Sequence, residues 1–197
     1  MSLALLPKTI RDLYEIHQWR HACAILKQEF PSEFADVIDV LGRFRLPKSG
    51  LVKGGGNKNP ATSGWIDAEF YKKGWAERDF DVKVKVDDEE SESPTHSIDC
   101  FKNRVGLEIE WNNKDPFFDR DLNNFRLLHS ISVISVGIIV TRCDELQEIV
   151  KELGRGSSFG QATTHMSKLL PKIEGGGAGG CPVLVFGISR RLYVEDA

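Results

Sequence analysis

The chain has 197 residues, 41% of them hydrophobic, and a formal net charge of −3. That fills one core and would stretch thinly over two domains, so a single domain spanning 1–197 is expected. No apolar run is long enough to cross a bilayer, and the charge balance argues against a general DNA coat. Four scattered cysteines, Cys23, Cys100, Cys143 and Cys181, form no Cys-x-x-Cys pair, so neither a zinc knuckle nor a disulfide framework is indicated. The apolar start, Met1 to Leu6, lacks a basic leader and a small-residue cleavage site. The expectation is a cytoplasmic protein with reduced, mostly buried thiols. Charge is uneven along the chain: residues 1–60 carry nine basic and six acidic groups, residues 61–150 eleven and nineteen, residues 151–197 six and four. The acidic middle could be offset by a cation, and the basic ends could face a phosphate backbone, although solvated surfaces explain such a distribution as well.

Apolar residues recur at helical spacing from about Lys8 to Phe30, at Ile10, Leu13, Ile16, Trp19, Cys23 and Leu26, which predicts a first helix. Ser32 can cap a second helix that buries Phe34, Val37, Ile38 and Leu41 and stops at Gly42. Residues 43–64, with Pro47, Pro60 and Gly54-Gly55-Gly56, read as irregular chain and a mobile loop. A short element is expected around Trp65 to Phe70. Residues 80–86 alternate cleanly and predict a half-buried strand, and Asp87 to Glu92 a polar turn or loop. Two strands follow, about His96 to Phe101 and Val105 to Trp111, joined by a turn at Lys102-Asn103-Arg104. Asp115 and Pro116 open a helix with Phe117, Leu122, Phe125 and Leu128 as apolar positions. Ile131 to Val140 reads as a buried strand, Asp144 to Leu153 as a helix closed by Gly154, Thr164 to Leu170 as a short helix, and Pro182 to Ile188 as a last strand. The glycine-rich stretches 154–160 and 175–180 are expected to be mobile loops. The fold class is therefore α/β, a mixed central sheet flanked by helices.

The chemistry concentrates in Ile98-Asp99-Cys100 and Val105-Gly106-Leu107-Glu108-Ile109-Glu110. With period two, Val105, Leu107 and Ile109 point one way and Gly106, Glu108 and Glu110 the other. Ile98 and Cys100 suit the core, which puts Asp99 beside the two glutamates if the strands pair. Carboxylates so close repel unless a cation or proton relieves them. Mg2+ suits hard oxygen ligands, and Asp99, Glu108 and the Ile109 carbonyl could supply them, with Mn2+ able to substitute. Glu110 could orient or deprotonate an attacking water, and Glu69 and Asp67 could add carboxylates from outside the hairpin. An amphipathic hairpin with an acidic solvent face stands beside this as the plainer alternative.

These residues, with Trp111-Asn-Asn-Lys-Asp115, Phe118-Asp-Arg-Asp-Leu122, Gly160-Gln-Ala-Thr-Thr-His165-Met-Ser-Lys168 and Gly179-Gly-Cys-Pro-Val-Leu-Val-Phe-Gly-Ile188, resemble type II restriction endonucleases of the BglII and BstYI kind. These are related to BamHI and belong to the PD-(D/E)xK nuclease superfamily. The resemblance runs from the first helix to residue 190. It implies a restriction-endonuclease-like fold, with Asp99 and Glu108 as metal ligands and Glu110 in the place that lysine holds in the wider superfamily. It also implies a homodimer cutting palindromic DNA to leave four-base 5′ overhangs, with GATC-centred sites as an extrapolation and a cognate DNA methyltransferase in the same cell.

The flanking residues fit contact with DNA. Asn112 and Asn113 carry amides that can pair with an adenine edge, and Lys114 can donate to guanine or phosphate. Ser157, Ser158, Thr163, Thr164 and His165 could approach the groove or backbone, and Lys168, Arg190 and Arg191 could meet phosphates. Caps and polar turns account for the same residues without DNA. No glycine-rich run ends in Gly-Lys-Ser/Thr, so no nucleotide-binding phosphate loop is present. A repair or structure-specific nuclease, a non-catalytic DNA-binding module, and an interaction domain with an acidic hairpin remain alternatives.

Overall fold

The computed structural model describes residues 2–53, 59–93 and 95–196. Its centre is a six-stranded mixed sheet built from β1 (Tyr14–Trp19), β3 (Ala76–Arg78), β6 (Ile98–Lys102), β7 (Val105–Glu110), β8 (Val136–Arg142) and β9 (Val183–Ile188), in the order β1-β9-β8-β7-β6-β3. The strands β7, β8 and β9 run parallel, while β1, β6 and β3 each pair antiparallel. Every residue of the three parallel strands is buried, which is why Val-Gly-Ile-Ile-Val and Val-Leu-Val-Phe-Gly-Ile are nearly continuous apolar runs.

Helices cover both faces. One face packs Val105, Leu107, Ile109, Ile138 and Phe186 against α2 (Ala22–Glu29), α3 (Pro31–Arg43), α5 (Ser63–Tyr71) and α7 (Leu146–Glu152). The other packs Ile139, Val183 and Val185 against α6 (Phe117–Ser130) and α8 (Met166–Glu174). The docking of α6 has a specific cause. Gly106 and Gly137 are register partners on β7 and β8, and together they leave a notch for the Phe125 ring. A Cβ at Gly137 would stand 2.5 Å from the ring, and one at Gly106 3.3 Å from it. Both glycines serve close approach here, with ordinary backbone angles.

Several expectations need correction. The first helix is divided into α1 (Lys8–Leu13), strand β1 and α2, with Arg20 and His21 in left-handed turn conformation at φ 51° and 58°. The hydrogen-bonding edge of β9 captures Tyr14–Trp19, and that tertiary pairing outweighs the helical spacing. Pro31, rather than Ser32, opens α3. Residues 43–64 are not wholly irregular: Leu46–Pro47 (β2) pairs with Tyr193–Val194 (β10), and Lys48–Lys53 forms α4. Gly54-Gly55-Gly56 lies outside the described residues.

The alternating stretch Val82–Val86 (β4) touches the core only through Val82 at its start. It pairs with Glu89–Ser93 (β5), so the acidic segment is itself a strand after the Asp87-Asp88 turn, and Val84 and Val86 are exposed. The strand expected from Ile131 starts only at Val136, because Ile131 is exposed and Ser132 turns the chain at φ 63°. Membrane-spanning helices are absent among the described residues: none is long and apolar enough. All four cysteines are free and buried.

The glycine notch can be tested directly. Gly137→Ala places a methyl group inside the packed Phe125 ring, and overpacking of this kind costs about 1–3 kcal/mol. Urea melts should show that loss, and a Gly137→Ala variant as stable as the wild type would show that the notch does not hold α6.

Candidate active site

The β6–β7 hairpin turns through Asn103 and Arg104, at φ 44° and 68°, the pair of left-handed residues that a two-residue hairpin turn needs. Cys100 lies opposite Leu107 and Phe101 opposite Gly106. Beyond Cys100, side chains join the ladder. The Asp99 amide donates to Glu108 Oε2 at 3.3 Å, and the Ile109 amide donates to Asp99 Oδ2 at 2.9 Å. Each carboxylate thus straps the neighbouring strand, which fixes their proximity. The alternation breaks here. Ile98 packs with Phe125 on the α6 face while Cys100 packs on the other, so the two do not share a face as their spacing predicts.

Glu108 and Glu110 do share a face, but it is not a solvent face. Both are 1% exposed and lie beneath α6. Two polar groups of that helix meet them, buried Asp121 and Arg120, while buried Asn124 donates to the His96 carbonyl at 3.1 Å. His96, just before β6, closes the group. Its Nε2 is 3.2 Å from Asp121 Oδ1 and 3.8 Å from Glu108 Oε1. Ligand atoms of His96, Glu108 and Asp121 all lie within 4.8 Å of one another. Glu108 Oε1 and Asp121 Oδ2 are buried and have no hydrogen-bond partner among the described residues. Glu110 is better held, with Asn113 Nδ2 donating to Oε2 at 2.6 Å and Arg120 Nη2 to Oε1 at 3.4 Å.

Burial drives the electrostatics. It pushes the Glu108 carboxyl well above its ordinary range, and the charges of Asp121, Asp99 and Glu110 push it further. Burial and Asp121 raise Glu110 to about 9, and burial also raises Asp99. Orphaned carboxylate oxygens in a crowded, dry acidic cluster are what a divalent cation relieves.

On the other side, Asp99 and Ile109 line a cavity of about 340 Å³ together with Asp67, Tyr71 and Glu77. Glu69 is not brought there. Its carboxylate is taken by Lys72 and by Arg43 at 2.8 Å, which hold it below the usual range. Of the two acids on α5, Asp67 is the one turned toward Asp99.

A family model for the BglII/BglIII restriction endonucleases matches residues 14–188. The chain belongs to this family. No curated protein matches it. The protein is therefore a type II restriction endonuclease, a nuclease acting on double-stranded DNA, from a family that generally uses a divalent metal.

The residues expected to touch DNA come from two stretches that this endonuclease stitches together. Lys114 forms a β-bridge with Thr163, Thr164 N–H donates to the Asn113 carbonyl at 2.8 Å, and Asn112 Nδ2 donates to the Ser158 carbonyl at 2.9 Å. Lys114, Ser157 and Ser158 are exposed, whereas Thr164 and His165 are buried and turned inward. Asn112 Oδ1 and Thr164 Oγ1 lack partners among the described residues. Lys168 stands 3.8 Å from Asp115. Arg190 sits apart, after β9, with its amide donating to Glu145 at 2.7 Å.

Three residues of the cluster were missed from sequence: His96, Arg120 and Asp121. A signal for one existed. Phe118, Asp121, Leu122, Phe125 and Leu128 form the buried stripe of α6, and an aspartate inside an apolar stripe must have a partner in the interior.

The raised carboxyls make stability depend on pH. The folded, metal-free protein keeps on Glu110 a proton that an ordinary glutamate releases near 4.5, up to about 9. The stability this contributes is full below the lower value and is lost as pH rises through the upper one. Thermal melts in chelator should therefore fall in Tm across that interval, and Glu110→Gln should flatten the fall. An equal fall in the variant would place the titration elsewhere.

Proposed function

We propose that this chain hydrolyses phosphodiester bonds at a short GATC-centred palindrome in duplex DNA, using Mg2+ and leaving four-base 5′ overhangs with 5′-phosphate and 3′-hydroxyl ends. Family membership supports the reaction class. The observation that carries the metal requirement is the pair of orphaned oxygens, Glu108 Oε1 and Asp121 Oδ2, beside His96 Nε2. These residues fit a divalent cation. Glu108 would hold it, joined by Asp121 and His96 from the α6 side or by Asp99 and the Ile109 carbonyl from the hairpin. Oxygen donors suit Mg2+, and the imidazole suits Mn2+ as a substitute.

A bound cation would supply positive charge at the scissile phosphate and a more acidic water. The chain's own groups do the rest. Asp99 and Glu108 hold the hairpin in register through their crossed hydrogen bonds. Glu110, fixed by Asn113 and Arg120, is placed to orient the water that attacks phosphorus opposite the 3′ oxygen and to accept its proton. Asn112, Asn113 and Lys114 sit directly after the catalytic strand and are assigned to base and phosphate contacts. Ser157 and Ser158 lie across from them and are assigned to the DNA as well. A palindrome calls for two matched halves, so the active form is a twofold homodimer, working in the cytoplasm of a cell that also holds a cognate methyltransferase.

Incubation with unmethylated phage DNA and Mg2+ should give discrete fragments whose sequenced ends report site and overhang. A smear would indicate a nonspecific or repair nuclease, and duplex binding without cleavage a DNA-binding module. Asp99→Ala and Glu108→Ala should each lower cleavage on the order of 10²–10³-fold or more, the size of losing one group that stabilises developing charge. Wild-type cleavage by either variant would remove that residue from the site. Light scattering of the DNA complex should return the mass of two chains, and a monomer would refute the paired-half arrangement.

A further inference from the structure

A second charged group is buried at the end of the sheet where Glu110 lies. Strand β8 presents Val136, Ile138 and Val140 to the α2–α3 face and ends on it with Arg142, which is 2% exposed. Arg142 Nη2 donates to Thr163 Oγ1 at 2.6 Å and Nη1 to Gln147 Oε1 at 3.4 Å, both uncharged partners. Its Nε has no partner, and among the described residues no carboxylate lies within 4.0 Å of it. Asp144 supports its charge from farther away but is committed to His165 Nδ1 at 2.7 Å and to the amide and hydroxyl of Ser167 at 3.0 and 2.6 Å. Burial lowers the guanidinium to about 10. Beyond the Phe159 ring, 5.6 Å from the guanidinium carbon, and the more distant Asp144, the described residues offer this buried cation no charge compensation, which makes its burial costly.

What lies next to Arg142 is open space. It lines a cavity of about 380 Å³ with Asp144, Gln147, Gln161, His165, Ser167 and Lys168, and the one carboxylate among them, Asp144, is held by His165 and Ser167. We propose that this cavity is an anion subsite that takes a backbone phosphate of the bound DNA, with Arg142 at its floor and Lys168 at its rim. Three observations favour phosphate over a base edge. The floor is a full charge that a neutral guanine edge would leave unbalanced. Lys168 adds a point charge of the same sign. Thr163, which holds Arg142, bridges to Lys114 of the segment after the catalytic strand, so a phosphate here lies along the path of the same duplex. The subsite rests on the proposed action on DNA.

The test uses the full chain with Ca2+ in place of Mg2+, titrated with cognate and unrelated duplexes across a range of salt concentrations. Each phosphate contact contributes about 0.9 to the slope of log K against log salt. Arg142→Gln should lower that slope by about one and weaken binding alike on both duplexes, and half-exposed Lys168→Gln should do the same if Arg142→Gln fails to fold. Inorganic phosphate, at matched ionic strength, should raise the Tm of the wild type and not that of the variants. Unchanged slopes overturn the subsite. So does a loss confined to the cognate duplex at unchanged slope, which would mean base reading. If the wild type cuts DNA at discrete sites while the variants keep its slope, the subsite fails and the nuclease function stands. If the wild type binds no duplex, both fall, and a phosphate effect that depends on Arg142 would then mark a site for free phosphate.

Discussion

Burying like charges beneath a helix is the constraint around which this fold is arranged. Glu108, Glu110 and Asp121 are all withdrawn from water, and burial together with mutual repulsion drives the two glutamates up. The bonds from Asn113, Arg120 and His96 offset only part of that cost. The compensation comes from apolar packing on the same helix. Phe118, Leu122, Phe125 and Leu128 bury one side of α6, and the Phe125 ring sits in the notch that Gly106 and Gly137 leave open. The glycine pair sets how closely α6 approaches, and that approach sets the distance from Asp121 to Glu108. Packing imposes the acidic cluster on the fold, and its electrostatic strain is free energy that a cation bound there, as proposed, would recover.

The hairpin beneath it is built with similar economy. Asn103 and Arg104 close the turn, and Asp99 and Glu108 replace backbone ladder bonds with side-chain ones. If Asp99 and Glu108 hold the cation as proposed, the pair that completes the strand pairing is positioned before any ligand arrives. Pre-positioning of this kind lowers the reorganisation needed at the moment of reaction.

Much of this was legible in the chain because local pattern and tertiary role agree. The period-two run Val105–Glu110 assigned Glu108 and Glu110 to one face, and the turn at Asn103 brought Asp99 into hydrogen-bonding reach of Glu108, although Asp99 itself lines the cavity on the other side. Where the two levels disagree, periodicity misled. Tyr14–Trp19 carries helical spacing, yet the unpaired edge of β9 draws it into the sheet. Val82–Val86 alternates, yet only Val82 meets the core while Val84 and Val86 are exposed. Ile98 and Cys100 are two residues apart but pack on opposite faces, because the strand leaves its regular pairing at the point where Asp99 takes over. The burial of the glutamates could not be read from the hairpin, since it depends on a helix arriving from later in the chain. Asp121 was the available clue.

The polar side of the molecule connects the groups proposed to meet DNA to the groups proposed to act on it. Asn113 donates its amide to Glu110, and its carbonyl takes the Thr164 amide from the second stretch assigned to DNA. Arg142, through Thr163, is tied to that same stretch. A base edge that drew the Asn113 amide away would leave Glu110 with Arg120 alone, at 3.4 Å, and free to turn. On the proposed assignment of Asn113 to a base edge and Glu110 to the attacking water, recognition and chemistry would share a single hydrogen bond, and a wrong sequence would be rejected at the cutting step as well as at binding.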